Sequence, residues 1–140
     1  MPMNILKLIA PIAAKCTYLV DGPKTFKERF LPDCEKFDIR KHEIITLDAK
    51  SLYTLINKNR VISEILKIIY QNPAAFFKDK DENNRPLPFP ERANFRTFLH
   101  SVLTKFNTFE CQLGIFQQKS GVSMGSSLSP SFSNIFVDLL

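Results

Sequence analysis

The segment that most limits what this chain can fold into is Glu43–Ala49, EIITLDA. It is short, β-branched and apolar at successive positions, so it reads as a strand buried on both faces. Such a strand demands sheet neighbours beside it and helices above and below. A carboxylate, Asp48, closes the run, and Ser51-Leu52-Tyr53 follows.

The rest of the sequence supplies the helices. Ile5–Ala14 reads as a short apolar helix bent at Pro11, and Asp21-Gly22-Pro23, after Tyr18-Leu19-Val20, is a turn signal. Lys24–Phe30 is helical, with Phe26 and Phe30 on one face and Pro32 as its stop; Leu31–Lys41 reads as polar loop. Arg60–Tyr70 is amphipathic, with Asn57 or Asn59 as its cap and Asn72-Pro73 as its end. Lys78–Pro90 is a polar, proline-dense surface loop inside one domain. Glu91–Phe106 is a second amphipathic helix that turns Phe95, Phe98, Leu99, Val102 and Phe106 inward. Thr108–Gln118 reads as a hairpin turning at Leu113-Gly114, Gly121–Pro130 as a small-residue loop, and Ser131–Leu140 as a helix.

Composition narrows the function classes. With 140 residues and 44% hydrophobic side chains, the chain has room for one domain with a core and is not disordered throughout. Lys and Arg exceed Asp and Glu by 19 to 14, which favours acidic partners, nucleic acid first, although no long basic run occurs. Cys16, Cys34 and Cys111 are odd in number and form no CxxC, so neither a disulfide framework nor a thiolate zinc site is indicated. The apolar opening is too short to span a membrane and lacks the basic start of a signal peptide. His42 and His100 have no companions at metal-ligand spacing and read as surface or hydrogen-bonded core histidines.

Gly121-Val122-Ser123-Met124-Gly125 satisfies G-x-S-x-G, the nucleophile elbow of α/β hydrolases. That enzyme needs an acid and then a histidine after its serine. Both histidines lie upstream and only Asp138 follows, so the pentapeptide reads as a tight turn made of small residues.

Two longer stretches carry a resemblance. ITLDAKSLYTLI (Ile45–Ile56) resembles motif A of reverse transcriptases, in the form D-V-x-S-L-Y-T-N-I-P of Penelope-like retroelements. QQKSGVSMGSSLSPSFSNIF (Gln117–Phe136) resembles their motif B, Q-x-x-G-x-x-M-G-S-P-L-S-P-x-x-A-N. The two occur in the family's order, and the stretch before motif A is similar as well, so nearly the whole chain is covered. Leu55, Asn57 and Ser127 depart from the family's Asn, Pro and Pro. No Tyr-x-Asp-Asp occurs in these 140 residues. The expectation is a partial reverse transcriptase domain over 1–140, truncated before that motif: the fingers helices and half the palm, an α+β fold whose ferredoxin-like palm is built of antiparallel strands.

The resemblance implies roles for single residues. Asp48 would hold two Mg2+ (or Mn2+) ions, and the Ala49 carbonyl would hold one of them. The ions would activate a primer 3′-hydroxyl and stabilise the leaving pyrophosphate. Tyr53 matches the steric gate that favours deoxynucleotides. Gln118, Gly121, Met124, Gly125 and Ser126 would line the nucleotide, and Ser129, Pro130 and Asn134 would begin the helix beneath the template. The implied partners are an RNA template, a DNA primer and deoxynucleoside triphosphates; a nuclear location is implied by the resemblance only. Lys50, Lys58 and Arg60 could track phosphate or form a solvated face.

The expected function is RNA-directed DNA polymerisation, with the chain inactive alone because one carboxylate cannot hold two ions. The alternatives are a catalytically dead nucleic-acid-binding remnant and a reading frame with no selected role. Asp48 is expected at the end of a central strand, facing a cleft lined by Gly121–Ser126. Ile44–Leu47 is expected as an unpaired edge that recruits other chains, and Ile135, Phe136, Leu139 and Leu140 as a helix face short of partners.

Overall fold

Four helices enclose the core of this computed structural model, which describes residues 4–16, 19–20, 22–43, 45–105 and 107–140. They are α1 (Ile5–Ala13), α5 (Lys58–Gln71), α7 (Arg92–Lys105) and α8 (Ser129–Asp138). Short helices α2 (Pro23–Arg29), α3 (Leu31–Cys34), α4 (Leu52–Leu55) and α6 (Pro73–Phe76) join them, with a 3-10 turn at Ile39–Lys41. One antiparallel hairpin, β1 (Thr108–Cys111) and β2 (Gly114–Gln117), is the only sheet among the described residues. The fold is therefore mixed helix and strand, compatible with α+β.

The central helix is α5, which packs against α1, α7 and α8. Its Val61, Ile62, Ile65, Leu66 and Ile69 recur at helical spacing and are all buried. They meet Ile9 and Ile12 of α1, Phe95 and Leu99 of α7, and Phe132 and Ile135 of α8 in one cluster. Of the two caps the sequence offers, Asn57 and Asn59, it is Asn57 that caps α5, its side-chain oxygen accepting from the Arg60 N–H at 3.2 Å. Asn4 caps α1 in the same way through the Lys7 N–H at 3.3 Å.

Pro11 lies inside α1 and has no N–H, so the helix loses one internal bond there. At the C-terminal end of the helix the Ala14 N–H, at the C-cap, donates to the Ala10 carbonyl at 2.9 Å. Arg29 ties the next segment down, its guanidinium donating to the carbonyls of Leu19 at 2.8 Å and Cys16 at 3.3 Å. The Arg60 guanidinium donates to the Leu139 carbonyl, fastening the end of α8 to the start of α5.

Several expectations need correction. Pro32 does not open a polar loop. It occupies the first turn of α3, where its missing N–H is harmless, and the Ile39–Lys41 turn follows. Phe26 and Phe30 do share a face, stacked at 4.7 Å, but both are exposed. Phe98 is also exposed; the buried face of α7 is Phe95, Leu99 and Leu103. The hairpin turns on Gln112-Leu113, and Gly114 is already the first residue of β2, paired with Cys111 at φ 126°. Helix α8 begins two residues earlier than expected, at Ser129, with Pro130 in its first turn. Tyr18, Asp21, Ile44 and Phe106 lie outside the described residues.

The largest correction is the first feature. Residues 45–49 form no strand, and Ile45 and Leu47 are 76% and 93% exposed. A strand exists only by pairing its backbone with a neighbour. Among the described residues the one ladder joins β1 to β2 and leaves nothing for this segment. The composition of EIITLDA is suited to burial in a sheet, but composition does not supply the partner.

Candidate functional site

The two motif-bearing stretches meet at one point. Motif A residues 52–55 form α4, entered through Ser51 in the left-handed region at φ 57°. Thr54 closes this turn, with both its N–H (3.1 Å) and its hydroxyl (2.8 Å) donating to the Ser51 carbonyl. The Tyr53 carbonyl then accepts from the Val122 N–H at 2.8 Å. Gly121, just before, is buried and left-handed at φ 71°. A Cβ there would stand 2.1 Å from the Tyr53 oxygen and 2.5 Å from the Thr54 Cα. Only glycine lets the motif B loop come this close to the backbone of α4.

The loop is braced from both sides. The Gln118 amide donates to the Ser120 carbonyl at 2.7 Å and the Val122 carbonyl at 3.4 Å. Buried Asn107 donates to the Gly121 carbonyl at 3.4 Å, and its own carbonyl accepts from the Gln118 N–H at 2.7 Å. The Ser123 hydroxyl accepts from the Gly125 N–H at 3.3 Å, and that of Ser126 accepts from the Leu128 N–H at 3.3 Å. Fully buried Ser129 donates its hydroxyl to the Ser123 carbonyl, which locks the loop to the first turn of α8. The small side chains of this loop thus act mainly on its own backbone.

Tyr53 is half-buried against the core cluster. Asn134 is half-buried on α8 and Pro130 is exposed. Met124 is 77% exposed at the tip of the loop, and Gly125 is exposed beside it. Beneath the loop lies a cavity of about 620 Å³, lined by Ser123, Gly125 and Ser126 together with Asn4, Val102 and Thr108. Asp48 is not among its lining residues, and Asp48 and Ala49 are both exposed. The structure therefore brings Tyr53 to the motif B loop, and Asp48 does not end a strand, since residues 45–49 form none.

A second cavity, about 320 Å³, opens where α4 runs into α5, between Thr54–Asn59, His100 and Ser120-Gly121. Burial lowers the pKa of Lys58, which lines it. His100 sits on this wall although its sequence surroundings gave no companion. Asn107 was also missed as a positioning residue; a polar side chain between a helix and a strand was the available signal.

The oxygen donors fit the implied cation in kind. The exposed Asp48 carboxylate makes no ion pair among the described residues. A carboxylate and a main-chain carbonyl are the hard ligands that Mg2+ takes alongside water and phosphate oxygens. No group of three His, Cys, Asp or Glu side chains converges among the described residues. No described helix is long and apolar enough to cross a membrane.

No family model matches the chain, and no curated protein and no solved structure matches it significantly.

Proposed function

We propose that this chain is the motif A and motif B portion of an RNA-directed DNA polymerase resembling those of Penelope-like retroelements. The observation that carries the reading is the Val122–Tyr53 hydrogen bond with Gly121 pressed on α4. In such an enzyme both motifs serve one nucleotide, so they must meet. Here they meet at the tyrosine assigned to the sugar and the glycine assigned to the close approach.

In this proposal the Asp48 carboxylate and the Ala49 carbonyl hold Mg2+, which supplies charge neutralisation on the nucleotide's phosphates when bound. Tyr53 sets the space left for the sugar. Gln118 and Asn107 hold the loop carbonyls and Gly121 seats the loop on α4, so that Gly125 and Ser126 present backbone to the base pair. Ser129, Pro130 and Asn134 open the helix under the template. The ferredoxin-like palm sheet belongs to the same proposal, with residues 45–49 as one of its strands once a neighbour pairs with them. The remaining carboxylates are supplied by a Tyr-x-Asp-Asp hairpin, which these 140 residues do not contain.

The test is primer extension on an RNA template with Mg2+ and deoxynucleotides, using the chain joined to a Tyr-x-Asp-Asp hairpin. Incorporation by the joined protein and none by the 140 residues alone is the expected outcome. No incorporation, with salt-sensitive binding of template retained, selects the second reading, a non-catalytic nucleic-acid-binding remnant. The exposed, unpartnered Asp48 is the observation that favours it.

A further inference from the structure

A second surface lies away from the motif A contact. A groove of about 450 Å³ separates the outer face of α1 from the turn after α6. Lys7, Pro11 and Lys15 line one side, and Phe76, Phe77 and Lys78 line the other. Lys7 lies on α1, and Lys15 follows two residues after its end. All three lysines are exposed, and none makes an ion pair among the described residues. Against them stands one carboxylate, Asp79, at the end of the groove, so the lining carries a surplus of two positive charges.

The aromatic side of this groove is fixed. Phe77 is held edge-on by Tyr70 at 6.1 Å and by Phe95 at 5.6 Å. Phe76 is half-buried and packs on the core beside it. Free ammonium groups around a rigid aromatic wall match a strand that offers phosphates and unstacked bases together. A duplex hides its base faces and would use the lysines only. Asn4 lines both this groove and the cavity under the motif B loop. A strand leaving that loop would therefore pass over the start of α1 into the groove.

We propose that the α1–α6 groove binds a single-stranded nucleic-acid segment, with bases against Phe76 and phosphates at Lys7, Lys15 and Lys78. That the segment is the one leaving a polymerase site rests on the proposed function. The binding itself does not.

The test is fluorescence anisotropy of the 140-residue chain with a labelled oligothymidylate, the corresponding RNA and a duplex, across about 50–200 mM salt. Single strands should bind more tightly than the duplex. Each lysine contributes about 0.7 to the slope of log affinity against log salt, about 2 in all. Lys7→Glu with Lys15→Glu should lower that slope by about 1.4 and weaken binding about tenfold. Phe76→Leu keeps most of the packing volume but removes the ring. It should weaken single-strand binding about tenfold with the slope unchanged. Lys24→Glu, at an exposed α2 lysine that does not line the groove, should change neither, which separates this surface from general charge attraction. Three results would overturn the proposal: undiminished binding in the double lysine variant, equal affinity for duplex and single strand, or a Phe76→Leu chain that binds as before. Anionic lipid vesicles captured as tightly as the oligonucleotide would also overturn it, since a lipid surface needs the charges and not the ring.

Discussion

The N–H of Val122 donates to the carbonyl of Tyr53 across 69 residues of chain, at 2.8 Å. Around this bond the loop before α8 is fitted to α4. The fit depends on Gly121, whose α-hydrogen faces backbone atoms that a methyl group would overlap. The chain's two motif B glycines are therefore unequal.

Gly121→Ala should destabilise the protein by about 2 kcal/mol or more, from a left-handed φ and a clash with main chain that cannot rotate away. Gly125→Ala should cost less than about 0.5 kcal/mol, because its Cβ would meet nothing closer than 3.9 Å. Urea unfolding of the two variants checks this. Equal midpoints would mean that the loop does not rest on α4.

Burial in the four-helix core sets the scale for other substitutions. Ile65→Ala, at a fully buried position on α5, should cost about 2–5 kcal/mol. Leu47→Asp should cost less than about 0.5 kcal/mol, because that side chain is 93% exposed. It should also reduce self-association in sedimentation, since an unpaired apolar segment is an open template for other chains. Severe destabilisation by Leu47→Asp would restore the buried strand that the sequence led one to expect.

The three thiols should react in order of exposure. Cys111 is exposed on β1, Cys34 is half-buried, and Cys16 is buried. Burial pushes the Cys16 thiol up, and the carboxylate of Asp138 adds to this. A thiol raised on folding contributes stability that is present below its unfolded pKa and lost as pH rises through the folded one. Alkylation followed by mass spectrometry at mildly alkaline pH should label Cys111 first and Cys16 last. Raising the pH into the alkaline range should loosen the α1 end. Cys16 labelled as fast as Cys111 would contradict the packing of α1 against α8.

Much of the helical frame was legible because it is local. The period of Val61, Ile65 and Ile69, the Asn57 cap and the Asn72-Pro73 stop are each settled within a few residues. The hairpin was readable too, though its turn sits one residue earlier than expected, since Gly114 serves the first position of β2. What failed depends on distant partners. EIITLDA has the residues of a buried strand, but whether it becomes one is decided by a ladder that the described residues do not provide. Asn107 and His100 could not be read as neighbours of Gly121 and Ser120, because only the packing of α7 brings them there. The motif residues themselves were legible by resemblance. The contact of Tyr53 with Val122 had no signal in either motif alone.

The chain joined to a Tyr-x-Asp-Asp hairpin tests the polymerase reading most directly, through its rate of deoxynucleotide incorporation with Mg2+ before and after Asp48→Asn. An amide keeps the shape of the side chain and removes the charge that holds the cation. The account predicts that incorporation falls to background while the thermal midpoint stays put, since Asp48 is exposed and makes no ion pair among the described residues. Incorporation undiminished in Asp48→Asn would contradict it.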